Sequence, residues 1–330
     1  MGPQLRLAPL LDRDRDRALF VAPDGFDAAV WAAGQGLNTL IVGERGQGKT
    51  SVLHQLELEL RRGPAQRAAS FVDLAAARSA QDALRLLVSA AGDALGRLLS
   101  WTPPLPQPNE SESERTIRAC LQQLGALEAC TFLVDNVHAR DAGFSLFGVL
   151  RDRLWETPHQ WIVSGETLDR RWLLRPPADA FWEQVVELQY SAADARRLLE
   201  LRLEGSPAWI AAIVDTVGTN PRRLMSAALA ASRDRDQPTV VVAAWEAWRE
   251  RLAGLEHRAA VLMAELSARQ PVSASDPDLL SSLGWARTTL IKTLEQLERQ
   301  GLVESFSEPG GTGRPRRLFA TTEPGKPRRG

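Results

Sequence analysis

The octet GERGQGKT at 43–50 leaves this chain the least choice of any stretch in the sequence. It fits the spacing G-x-x-x-x-G-K-[ST], with the apolar run NTLIVG (38–43) leading into it and a helical pattern following it. A strand that passes through such a loop into a helix turns several backbone N–H groups toward one anion, and the helix N-terminus adds positive potential. The phosphate-binding set expected from this motif is Gly43, Gly46, Gly48, Lys49, Thr50 and Ser51. Lys49 is placed to reach the β and γ phosphates of a nucleotide, and the Thr50 hydroxyl to ligate Mg2+.

Further apolar runs of strand length lie at 70–75 (SFVDLA), 130–135 (CTFLVD), 160–165 (QWIVSG) and 184–189 (QVVELQ). Continuous runs separated by helical stretches, here at 49–62, 79–100, 113–127 and 143–155, are the pattern of buried strands in a parallel α/β sheet. The segment SWTPPLPQPNESESE (100–114) is too polar to bury a core and reads as an exposed, mobile loop. After Gln189 the strand signal stops. SAADARRLLELRL, SPAWIAAIVDTVG, NPRRLMSAALAAS and TVVVAAWEAWRERLAGL all read as helices. From Glu256 onward three helical stretches precede VESFSE, the turn PGGTGRP and RRLFATT, which is the winged-helix order. The expected organisation is a P-loop core at 1–190, a helical lid at 191–255, a winged helix at 256–323 and a basic tail at 324–330.

Composition narrows the function classes. A 330-residue chain with 44% hydrophobic and 25% charged residues is an ordinary globular protein of two or three domains. No run approaches the roughly 18 to 20 apolar residues of a membrane helix, so a cytoplasmic protein is expected. The net charge of −1 excludes a globally basic nucleic-acid binder, and any such contact must come from a local patch. Cys120 and Cys130 suggest neither a disulfide framework nor a metal site and read as core thiols.

Asp135 closes the third apolar run, where its carboxylate would share Mg2+ with Thr50. The next residue is Asn136, whose amide can orient a water but cannot accept its proton. Ser164 ends another run as a small polar group able to orient the attacking water. Glu166, just beyond it, is a rival source of the missing carboxylate.

Together GERGQGKT, FLVDNVH, WIVSG, GTNPRRLM and the terminal helix-and-hairpin module resemble the AAA+ ATPases of the origin-initiator group and the related STAND regulatory ATPases. The resemblance runs from about Leu19 to Thr322. It implies an α/β P-loop NTPase of AAA+/ASCE type followed by an α-helical lid and a winged helix, with ATP and Mg2+ as ligands. It also implies that Arg222, in the Gly218, Asn220, Pro221, Arg222 pattern, meets the γ-phosphate. Asn220 as cap and Pro221 as first helical residue make that position physically sensible. An arginine after the fourth strand would reach a neighbour's nucleotide in a homo-oligomer or with an AAA+ partner. Arg170, Arg171 and Arg175 are all candidates. His138 matches a STAND variant of the Asp135 strand, with a structural histidine as the simpler role.

In the last helical stretch Leu290, Ile291, Leu294 and Leu297 form an apolar face, leaving Arg287, Thr288, Lys292 and Arg299 for a surface that could enter a major groove. The wing adds Arg314, Arg316 and Arg317, and the tail adds Lys326, Arg328 and Arg329, with Glu323 the only acid from Arg314 onward. Such arginines suit phosphate contacts with double-stranded DNA. The expected function is an ATP-binding switch that couples nucleotide state to DNA binding and hydrolyses ATP slowly. The alternative is a STAND-like signalling or assembly ATPase whose winged helix binds protein.

Overall fold

Strands covered on both faces need apolar side chains at nearly every position, and the uninterrupted runs of this sequence supply them. β1 (Thr39–Gly43), β2 (Ala68–Asp73), β3 (Cys130–Asp135), β4 (Gln160–Glu166) and β5 (Gln184–Glu187) form one parallel sheet in the order β2-β3-β4-β1-β5. β1 and β3 are buried along their whole length. The computed structural model describes residues 8–10, 14–63, 68–96, 105–137, 139–203, 207–233, 238–308 and 316–324. His138, Arg314, Lys326, Arg328 and Arg329 lie outside these described residues. Contacts divide the chain into one unit from Ala8 to Asp194 and another from Ala195 onward.

In the first unit, α1 (Asp14–Arg17), α2 (Phe26–Gln35) and α3 (Lys49–Arg62) precede β2. Between β2 and β3 lie α4 (Ala80–Ala94) and α5 (Glu112–Ala126). α6 (Arg151–Trp155) precedes β4, and α7 (Arg170–Leu173) follows it. Side chains alternate across the sheet. Leu40, Val42, Phe132, Val134, Trp161 and Val163 pack with Leu84, Leu87 and Leu124 from α4 and α5. Ile41, Leu133 and Ile162 pack with Val52, Leu53 and Leu56 from α3 and Ala29 from α2. Trp161 is fully buried and stacks on Phe132 at 4.7 Å between ring centroids; truncating such a ring to alanine typically costs about 3–5 kcal/mol.

Three local expectations are corrected. The helix expected at 79–100 stops at Ala94, because Gly96 takes a left-handed φ of 64° and ends it. The helix expected at 143–155 is instead two wide π-type segments, Ala139–Gly143 and Ser145–Val149, followed by the short α6. Gly143 and Gly148 weaken a regular helix there, and a Cβ on Gly148 would sit 3.4 Å from Ala178 and 3.5 Å from Phe144. The described end of the 100–114 loop is tied down. Arg118 donates to both carboxylate oxygens of Glu110 at 2.8 Å and to the Leu105 carbonyl at 3.0 Å, and the Arg118 hydrogen bonds hold the Glu110 carboxyl down to about 2.

The second unit continues through α8 (Ala192–Glu200), which crosses the boundary, α9 (Pro207–Val217), α10 (Pro221–Arg233) and α11 (Pro238–Ala253). Trp245 and Trp248 of α11 are buried edge to face, 5.5 Å apart. Arg249 Nη1 donates to the Thr216 carbonyl at 3.1 Å, closing the end of α9. Then come α12 (His257–Arg269), β6 (Val272–Ser273), α13 (Pro277–Leu283), α14 (Arg287–Arg299), β7 (Val303–Glu308) and β8 (Arg316–Thr321), with an antiparallel sheet ordered β6-β8-β7. No helix among the described residues is long and apolar enough to cross a membrane.

Cys120 and Cys130 are free and buried, and burial pushes both thiols up to about 11, so they stay protonated. Beside them His159 accepts from the Cys130 N–H through Nδ1 at 3.2 Å and pairs Nε2 with the Leu124 carbonyl at 2.9 Å. This pairing fits only the neutral ring protonated on Nε2, because a second proton would face the Cys130 N–H. Burial, the largest influence, accordingly lowers the His159 pKa from 6.5. The unfolded chain binds a proton there that the folded one refuses, so stability falls as pH drops below about 6.5. Thermal melts at pH 7.5 and 5.5 should show this loss, and a folded His159→Gln variant should show less of it; equal pH sensitivity would contradict the assignment.

Candidate functional site

The loop after β1 turns because two glycines adopt backbone angles that other residues avoid. Gly46 has φ 87° and Gly48 has φ 83°. A Cβ on Gly48 would also lie 3.3 Å from the Tyr190 hydroxyl. Lys49 opens α3, and its Nζ donates to the Gly43 and Glu44 carbonyls at 2.9 and 3.0 Å. Burial lowers the Lys49 pKa, while Glu166, Asp135 and Asp169 oppose that shift, in that order. An ammonium held by neutral carbonyls gains by exchanging them for anionic oxygens, since charge-assisted hydrogen bonds are the stronger kind.

Thr50, on the first turn of α3, donates its hydroxyl to Asp135 Oδ2 at 2.6 Å. The other Asp135 oxygen, Oδ1, accepts from the Ser164 hydroxyl. Strand register accounts for the second contact, because Val134 faces Val163 and brings the ends of β3 and β4 side by side. Asp135 is only 2% exposed, and both of its oxygens are occupied. A hydroxyl and a carboxylate this close form the oxygen donor set that Mg2+ prefers. Among the described residues no group of three or more His, Cys, Asp or Glu could hold a metal alone, so such a cation would complete its shell with phosphate oxygens and water.

Ser164 is tied to Asp135. Its one proton is committed to Asp135, and toward a water it can only accept. Asn136 takes φ 54°, a left-handed conformation that asparagine tolerates, and its Nδ2 donates to Asp73 Oδ1 at 3.1 Å. Asp73 ends β2 as the register partner of Asp135 and went unnoticed in the sequence. The signal was present as an aspartate closing an apolar run, but strand neighbours are set by long-range register. Glu166 faces Gly43 across the β4–β1 pairing. It is engaged with Asp169 in a reciprocal cap, its N–H donating to Asp169 Oδ2 at 2.9 Å while its carboxylate accepts from the Asp169 N–H. The Ser51 hydroxyl accepts from the Leu10 N–H at 3.0 Å, so it serves the N-terminal segment.

The three arginines expected to reach a neighbour have different surroundings. Arg170 pairs with Glu187 at 3.1 Å. Arg175 lies over the rings of Phe144 and Trp172 at 5.7 and 5.8 Å, and Arg171 is exposed. In the second unit Asn220 Oδ1 accepts from the N–H groups of Arg222 and Arg223 at 3.1 and 3.3 Å, capping α10 with Pro221 as its first residue. The Arg222 side chain is exposed on that first turn. Arg287, Thr288 and Lys292 are exposed on α14, whose Leu290, Leu294 and Leu297 are buried. Arg316 is exposed on β8. Arg317 is already engaged, with Glu298 at 2.7 Å and over the Phe319 ring at 5.0 Å.

A parallel sheet whose interior strand β1 enters this glycine loop, with the helix threonine held on the aspartate that ends β3 two strands away, defines a P-loop nucleotide-binding core. Residues 33–173 match the AAA domain family. The Aeropyrum pernix ORC1 protein, solved in complex with DNA, shares the fold with a TM-score of 0.50, 17% identity and 94% of each chain covered. A Walker-type ATPase of Pyrococcus abyssi shares it with a TM-score of 0.51, 15% identity and 97% of each chain covered. No curated protein matches the sequence significantly. The chain therefore has the AAA+ fold.

The loop geometry is testable without a ligand. Gly48→Ala forces a side chain into the left-handed region and against Tyr190, and should destabilise the protein by about 1–2 kcal/mol in denaturant unfolding. An unchanged midpoint would contradict the loop conformation.

Proposed function

We propose that this protein binds ATP with Mg2+ through Gly43, Gly46, Gly48, Lys49 and Thr50, and uses the bound nucleotide as a slowly hydrolysed switch. The observation that carries the reading is the contact of Thr50 with Asp135 beside the Lys49 loop. Magnesium, when bound, would neutralise phosphate charge, with Thr50 and Asp135 as its protein ligands. Lys49 would leave its two carbonyls for the β and γ phosphate oxygens. Slow turnover is read from Asn136, which cannot take a proton, so the base usually worth about 10²- to 10⁴-fold is missing from that position. Arg222 belongs to this reading as a γ-phosphate contact, and one of Arg170, Arg171 and Arg175 as a contact to a second AAA+ subunit.

The nucleotide state would be passed to duplex DNA in the cytoplasm. We read 191–255 as the lid, 256–323 as a winged helix and 324–330 as a basic tail. The reading is supported by three helices with a β6-β8-β7 sheet, by the exposed Arg287, Thr288, Lys292 and Arg316, and by the DNA held by the similarly folded ORC1 protein. The engagement of Arg317 with Glu298 favours a second reading, in which this module binds protein and the ATPase is a STAND-like assembly switch.

DNA binding separates the two. Affinity for duplex DNA should differ between the ATP-bound and ADP-bound protein and fall steeply with salt. Substituting Arg314, Arg316 and Arg317 together by alanine should weaken binding on all sequences and flatten the slope of log K against log salt by roughly 0.9 for each phosphate no longer neutralised. An unchanged slope would remove the wing from the interface, and absence of salt-sensitive binding would favour the protein-binding reading. Steady-state turnover of the parent should stay below about 1 per second, the low end of enzyme rates; a faster enzyme would contradict the switch.

A further inference from the structure

We infer that Asp73 is the carboxylate that activates water at this site, through its hydrogen-bonded pairing with Asn136. The inference rests on the ATP-site reading and adds to it the base that Asn136 cannot be. Asp73 and Asp135 occupy matching positions at the ends of adjacent parallel strands, so the Asp73 carboxylate lies one strand from the Thr50–Asp135 contact. Asn136 reaches Asp73 because its left-handed φ of 54° turns the chain after β3. Its Nδ2 donates to Asp73 Oδ1 at 3.1 Å, and the same oxygen accepts from the Ala75 N–H at 2.9 Å. Both hydrogen bonds fall on one oxygen. Oδ2 has no protein partner among the described residues, and Asp73 is exposed to solvent. Two donors fix the orientation of the carboxylate and leave one oxygen for a water. The amide of Asn136 is thereby a positioning group and Asp73 the proton acceptor, a division of labour between two neighbouring strands.

The other nearby carboxylates are committed. Asp135 has a hydroxyl on each oxygen, and Glu166 is capped by Asp169. In the step itself, the water oxygen forms a bond to the γ-phosphorus and its proton passes to Asp73 Oδ2. The bond from that phosphorus to the bridging oxygen breaks, and its electron pair leaves on ADP. The proton then returns to solvent.

An ordinary turn aspartate would also accept the Ala75 N–H, and Asp73→Asn keeps an acceptor there while removing the base. The test is steady-state ATP turnover with KM, alongside calorimetric affinity for a non-hydrolysable ATP analogue, in the parent, Asp73→Asn and Asp73→Glu. The expected result is a loss of kcat of at least tenfold in Asp73→Asn, consistent with the 10²- to 10⁴-fold scale of general bases, with KM and analogue affinity within about twofold, and turnover in Asp73→Glu well above that of Asp73→Asn. Parental kcat in Asp73→Asn, or equal kcat in the two variants, overturns the inference and leaves the ATP-site reading standing. Loss of analogue affinity together with kcat also overturns it, assigning Asp73 a structural role. A parent that binds the analogue without detectable turnover overturns the inference alone, and a parent that binds no ATP overturns both.

Discussion

A buried carboxylate must be given hydrogen-bond donors, and the arrangement of this site follows from how Asp135 obtains two. Thr50 supplies one from the first turn of α3 and Ser164 the other from the end of β4. A hydrogen bond to a charged group is worth about 1.5–3 kcal/mol, and leaving the charge unpaired costs more. The start of α3 and the ends of β3 and β4 are thereby fixed to one point. Because Thr50 follows Lys49 directly, the same contact sets where the glycine loop begins its helix.

Burial on both faces forces the polar chemistry to the strand ends. Apart from Ser70 of β2, the middle of the sheet offers apolar side chains, and its carboxyl ends gather Gly43, Asp73, Asp135, Ser164 and Glu166. This is the edge at which open α/β sheets bind ligands. Its charge balance has a consequence. Glu166, Asp135 and Asp169 all act on the ammonium of Lys49, against the nearby Arg45, so acidic groups offset part of the loop's positive charge. In the proposed reading a triphosphate would enter with a divalent cation that offsets both its own charge and that of Asp135, and the Thr50–Asp135 pair would hold it.

Much of this was legible in the sequence, for identifiable reasons. GERGQGKT combines residue type and spacing so closely that loop and helix could be placed together, and α3 spans Lys49–Arg62 as expected. Continuous apolar runs announced the strands, although β2 begins at Ala68 and ends at Asp73, earlier than the 70–75 run suggested. The cap of α10 by Asn220 was readable because Asn-Pro is local chemistry. What depended on register was not. The Asp73–Asn136 contact joins residues on different strands, and the commitment of Ser164 to Asp135 appears only once β3 and β4 are paired. The two-residue β6 is too short to have a pattern, and the π-type turns of 139–149 have no periodicity signal that distinguishes them from an ordinary helix.

The central claim is that the loop and the Thr50–Asp135 pair together form a magnesium-dependent ATP site. Calorimetric titration with ATP, with and without Mg2+, on the parent and on Lys49→Ala tests it most directly. The account predicts binding by the parent that is markedly weaker without magnesium, and no detectable binding in Lys49→Ala, whose phosphate oxygens would lose their one lysine partner. Near-parental affinity in a folded Lys49→Ala, or parental binding indifferent to magnesium, would contradict it.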